Sequence, residues 1–305
     1  MAAFGSLLVL MVTLQGGSAA GAASPPGYWL GADDGGVFAF GAPFFGSTAF
    51  PEQCGQGCAI ASWPAGTGTT GQGYWMLGTL SKTGAQQYNG LLATGADGSA
   101  ADTFVISSDD GNPQPTPQSS NRPWRIAGVP NHQSGVLIID AGGNVYIPTG
   151  PNPSAYPMSY GSMAGEPFLG KMVGIASTPD GNGYWMVASD GGVFAFGDAP
   201  FEGSMGGKSL NAPVVAIAST PDGKGYWLAG ADGGVFAFGD ATFEGSMAGV
   251  SLNEPVVGIA GNGTDSGYWL AASDGGVFAF GSAPFRGSLT GRRLNAPITS
   301  IAASL

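Results

Sequence analysis

The chain has 305 residues, with 56 Gly, 22 Pro, 43% apolar residues, only 10% charged residues and a formal net charge of −11. That acidic balance weighs against nucleic acid, whose affinity rests on Lys and Arg at phosphates, and against an anionic membrane surface. Gly and Pro at this level would read as disorder in an aperiodic chain, but here they recur with a period and read as turns between short strands.

Residues 4–14 (FGSLLVLMVTL) form an apolar run too short to span a bilayer and suited to the h-region of a secretory signal. Small residues follow it, Gly16 to Ala23, although no Lys or Arg precedes it. The expectation is a signal peptide over 1–23, cleaved after Ala22 or Ala23. The mature chain, 24–305, would then be secreted or cell-wall associated, with no membrane insertion.

The mature chain opens with GYWLGADDGGVFAFG at 27–41. Cys54 and Cys58 follow in EQCGQGC, and in an exported protein they read as a small disulfide loop rather than a metal site. Trp75 opens a second GYW unit, after which the pattern decays over 81–158. From Trp75 to Leu137, the next Trp-like position, the interval is about 20 residues too long, so an irregular insertion is expected at about 90–121. TFVISSDDG at 103–111 resembles a repeat fragment, which keeps seven units open beside six. This arc holds the catalytic candidates Asp109, Asp110, His132 and Asp140; Trp63, before it, and Trp124, within it, stand outside the GYW triplets and are aromatic platform candidates. His132 is the single histidine and sits in PNHQSG, which reads as a solvated turn.

From Met172 the units are regular, with Trp185, Trp227 and Trp269 at intervals of 42 residues. In the unit 212–247, PVVAIAS, GYWLA, VFAFG and FEGSM read as four short strands, with a type I′ hairpin turn at DGG. Phe236 and Phe238 would face one neighbour, and Val235 and Ala237 the other. The predicted fold is all-β, a single propeller of about six four-stranded blades. The C-terminal APITSIAASL matches the first strand of a unit and then stops, so it should pair with the N-terminal blade and close the ring.

The phrase GYW followed by (S/A)DGGVFAFG, DA, F and GS resembles a repeat of secreted actinobacterial proteins, found alone or beside cell-wall hydrolase domains. The resemblance implies a secreted propeller-like region and no assigned activity.

No GxSxG elbow occurs, and Gly207-Lys208-Ser209 has Glu202 where a phosphate loop needs Gly. Asp34, Asp190, Asp232 and Asp274 share one turn position and read as turn caps, with calcium the open alternative; no other cofactor is expected. Asn211, Asn253 and Asn295 recur in LN(A/E)P before a first strand, with Lys171 and Arg122 near that position in irregular units. Together with Trp124 they are the ligand-binding candidates. The expected function is a non-enzymatic binding protein at the cell surface, its partner a cell-wall glycan or a protein. The alternatives are an extracellular hydrolase or lyase acting on polysaccharide or ester, and a self-associating surface-layer component.

Overall fold

The computed structural model describes residues 26–44, 47, 59–62, 73–81, 87–95, 103–105, 125–129, 136–147 and 159–304. The expected signal over 1–23 and the Cys54–Cys58 loop lie outside them. The described residues contain no helix. In chain order the strands are β1 (Gly27–Ala32), β2 (Val37–Phe40), β3 (Ala59–Ser62), β4 (Gly73–Ser81), β5 (Gln87–Gly95), β6 (Thr103–Val105), β7 (Arg125–Gly128), β8 (Val136–Ile139) and β9 (Val145–Tyr146). The regular units follow as β10 (Met172–Ser177), β11 (Gly183–Ala188), β12 (Val193–Gly197), β13 (Val214–Ser219), β14 (Gly225–Gly230), β15 (Val235–Gly239), β16 (Val256–Gly261), β17 (Gly267–Ala272), β18 (Val277–Gly281) and β19 (Ile298–Ser304).

These strands form six antiparallel sheets: β19-β1-β2, β3-β4-β5-β6, β7-β8-β9, β10-β11-β12, β13-β14-β15 and β16-β17-β18. The last strand of the chain thus pairs with the first, from Gly27 opposite Ser304 to Ala32 opposite Ile298. The leading strands also neighbour one another in a cycle: β10 lies beside β13, β13 beside β16, β16 beside β19, β19 beside β3, β3 beside β7, and β7 beside β10. The arrangement is propeller-like. β5 and β6 draw residues 90–95 and 103–105 of the expected insertion into the sheet that holds Trp75.

The core lies between sheets. One cluster gathers Trp185, Val187 and Val193 from one sheet with Tyr226, Leu228, Phe236 and Phe238 from the next. The following cluster repeats it with Trp227, Val235 and Ala237 against Tyr268, Leu270, Phe278 and Phe280. The alternation along VFAFG therefore serves two interfaces, large residues toward one and small toward the other, as expected for strands buried on both faces.

Two expectations need correction. Among the described residues five of the sheets have three strands rather than four. The FEGSM segment forms no ladder, because Gly203, Gly245 and Gly287 adopt φ of 132°, 130° and 129°, outside the extended strand range. Its carbonyls go instead to tyrosines of the next sheet: Tyr226 Oη donates to Gly203 O at 2.6 Å, and Tyr268 Oη to Gly245 O at 2.6 Å.

The hairpin turn also differs from type I′. Gly230 N–H donates to Gly234 O at 2.8 Å, and Gly233 N–H to Gly230 O at 2.9 Å. The turn therefore centres on Ala231 and Asp232, with Gly233 as a left-handed bulge residue at φ 78°. A Cβ on Gly233 would stand 2.6 Å from Met247 Cβ, so glycine is required twice over, by φ and by space.

Candidate functional site

The hairpin turns and the LN(A/E)P segments meet at one end of the regular sheets. Backbone hydrogen bonds link them from unit to unit. Ser189 N–H donates to Lys171 O, and Val214 N–H donates to Ser189 O. The same pair recurs as Ala231 to Pro213 and Val256 to Ala231, then as Ser273 to Pro255 and Ile298 to Ser273, and Asp33 N–H finally donates to Pro297 O. The middle of the turn is thus a backbone bridge between consecutive units.

Asn211 and Asp232, singled out for different reasons, line the same cleft. It has a volume of about 200 Å³ and is also lined by Leu210, Phe236, Phe243 and Ser246. Asn211, Asn253 and Asn295 are all exposed. Each turn carboxylate caps its own loop: Asp34, Asp190, Asp232 and Asp274 accept through Oδ1 from Gly36, Gly192, Gly234 and Gly276 N–H at 2.9–3.0 Å. Among the described residues no three metal-ligating side chains gather. Lys171 is exposed, and its N–H donates to Ser189 Oγ at 3.1 Å.

Asp140 is buried and fully engaged. Its Oδ1 accepts from Gly142 and Asn144 N–H at 2.9 and 3.0 Å, and its Oδ2 from Asn144 Nδ2 and Tyr146 Oη at 2.8 and 3.1 Å. Burial and the Asp140 carboxylate push the Tyr146 phenol well above its ordinary range. Asp109, Asp110, Arg122, Trp63, Trp124 and His132 lie outside the described residues.

The opposite end of the sheets carries carboxylate pairs that the sequence reading passed over. The Thr178 hydroxyl donates to Asp180 Oδ1 at 2.7 Å, and Asn182 N–H donates there at 3.1 Å. These bonds hold the Asp180 carboxyl down at about 2, whereas lost hydration and the neighbouring Asp180 push Asp198 up. Asp222 and Asp240 repeat the pair. Lys224, whose ammonium meets Asp222 at 2.8 Å, lowers Asp222, while lost hydration and Asp222 raise Asp240.

Two further features were missed. Arg125 stands on a leading strand at the position that the other five fill with Ala59, Gly174, Ala216, Gly258 and Ser300. Burial lowers its guanidinium to about 10. The signal was available in the repeat alignment, as one large cation among small residues. The second is a set of exposed phenyl rings at Phe44, Phe201, Phe243 and Phe285. The sequence reading placed Phe236 and Phe238 at the interface between units and did not set the first residue of FEGSM apart from them.

No family model and no curated protein matches the sequence. Among solved structures, the chain is similar to one in the nidogen/laminin complex, with a TM-score of 0.54, 9% identity, and 92% of this chain and 98% of that one covered. That likeness concerns the fold alone. A candidate 6-phosphogluconolactonase from Bacteroides uniformis aligns at a TM-score of 0.48 and 13% identity, over 87% of this chain and 81% of that one.

Proposed function

We propose that this chain is a secreted, closed six-bladed propeller that acts as a binding module at the cell surface, with a cell-wall glycan as ligand. The carrying observation is the cleft that brings Asn211 and Asp232 together beside Phe243. An amide, a carboxylate and an aromatic face are the groups that fix sugar hydroxyls and pack against the apolar face of a pyranose. Asn253 with Asp274, and Asn295 with Asp34, stand at the same places in their units. The reading needs no cofactor. A hydrolase drawing its acids from the irregular arc is the competing class, and the four donors that fill Asp140 weigh against it.

The test is retention on purified cell-wall sacculi. The triple variant Asn211→Ala, Asn253→Ala, Asn295→Ala should lose at least tenfold in affinity while its thermal midpoint stays that of the wild type. Equal retention by the triple variant contradicts the assignment, and release of soluble sugar by the wild type would make the protein an enzyme.

A further inference from the structure

The cleft at Asn211 has an aromatic wall, and the repeat supplies that wall again in other units. Phe243 is 57% exposed, and its counterparts Phe44, Phe201 and Phe285 are 53%, 60% and 60% exposed. By contrast, the Tyr and Trp of the same units are fully buried or nearly so. An exposed phenyl contributes little to the core. Yet the backbone on either side of these rings is pinned.

Trp227 Nε1 donates to Thr242 O at 2.8 Å, immediately before Phe243, and Tyr268 Oη accepts from Glu244 N–H at 3.2 Å, immediately after it. Phe201 is held in the same way by Trp185 on Pro200 O and by Tyr226 on Glu202 N–H. Phe285 is held by Trp269 on Pro284 O and by Tyr28 on Arg286 N–H. The buried aromatics of two adjacent sheets thus pin the backbone on both sides of one exposed ring at each of these three junctions. A rigid aromatic surface binds without first paying the entropy of ordering itself.

We propose that Phe201, Phe243 and Phe285 are pre-organised stacking platforms for one polymer of neutral, acetamido-bearing pyranose rings, engaged at successive units. This rests on the glycan reading above and extends it to the class of sugar and to multivalent use. The phenyl takes the C–H face of a ring, and the side-chain amide of Asn211 or Asn253 pairs with an acetamido group. Asp232, Asp274 and the net charge of −11 repel acidic polymers. Successive weak platforms on one chain raise the apparent affinity without any new contact, provided that the polymer spans them.

The test uses β-1,4-linked N-acetylglucosamine oligomers of two to eight sugars in titration calorimetry. Affinity should rise at least tenfold from the shortest to the longest. The double variant Phe243→Ala, Phe285→Ala should abolish that rise while keeping the wild-type thermal midpoint. Binding that does not depend on length overturns the multivalent platform and leaves the glycan reading standing. Retention on sacculi without any oligomer binding overturns the sugar class alone, and loss of both overturns the two readings together. If the double variant changes sedimentation of the protein and not oligomer binding, the rings are a self-association surface and the proposal fails.

Discussion

Trp269 and Tyr28 stand near opposite ends of the chain, yet their rings pack at 5.2 Å between centroids. The same pairing joins Trp185 to Tyr226 at 5.6 Å, Trp227 to Tyr268 at 5.4 Å and Trp29 to Tyr74 at 5.3 Å. The contact that joins the two ends therefore has the geometry of the contacts that join consecutive units. Tyr28 Oη also donates to Gly287 O at 2.5 Å, as Tyr226 does to Gly203 O.

Tyr28→Phe should cost about 1–2 kcal/mol of stability, because it leaves the Gly287 carbonyl and the Arg286 N–H in a part-buried site without their partner. Tyr226→Phe removes the matching bonds within the chain and should cost the same amount. Urea melts of the two variants check this; a neutral Tyr28→Phe beside a costly Tyr226→Phe would mean that the ends do not close as the middle does.

Stability should fall steeply above pH 10. Burial raises the phenols of Tyr28, Tyr184, Tyr226 and Tyr268 above their ordinary value of 10. A folded-state pKa above the unfolded one means that their contribution is complete below pH 10 and is lost as pH climbs through the folded values. Tyrosinate absorbance and unfolding, followed together, should rise in one transition; phenols that ionise while the fold persists would refute the burial argument.

The acidic end should behave in the opposite sense at its two members. Asp180 is depressed, so its contribution holds above about pH 4 and fades toward its folded value of about 2. Asp198 is raised and its charge is a cost at neutral pH, relieved as pH falls through its folded value. Asp198→Asn should therefore lift the thermal midpoint slightly at pH 7, by up to ~2 °C for so exposed a pair, and Asp180→Asn should lower it. Calorimetry at pH 7 decides, and a lower midpoint for Asp198→Asn would show the pair to be cooperative rather than repulsive.

Gly203→Ala should destabilise by about 2–3 kcal/mol, since φ there is 132° and a Cβ would lie 2.7 Å from Phe238 Cδ1. Because Phe238 belongs to the neighbouring sheet, the damage should appear as weakened packing between sheets. A neutral substitution would mean that the segment is not seated as described.

Much of this architecture was legible because it is written several times over. The period of 42 residues and the large-small alternation of VFAFG each carry one physical demand, unit length and burial on both faces, and the match of 296–305 to the first strand of a unit foretold the pairing of β19 with β1. What escaped was set by contacts between units, which a repeat read alone does not contain. FEGSM has strand-like spacing, but Tyr226 and the φ of Gly203 take its backbone out of the ladder. The DGG turn was recognised, but its hydrogen bonds sit one residue earlier than a type I′ turn requires. Asn211 and Asp232 were both singled out, but their shared cleft was not, because they come from segments 21 residues apart that only the fold apposes.

The platform at Phe285, held by Trp269 from one side and Tyr28 from the other, depends on the two ends joining as the interior units do. The most direct measurement is amide hydrogen exchange across β19 and β1. Ile298–Ser304 and Gly27–Ala32 should exchange as slowly as Val214–Ser219 and Gly225–Gly230, their counterparts in the interior of the chain. Rapid exchange at both ends beside slow exchange in β13 and β14, the pattern of frayed termini, would contradict the closed ring.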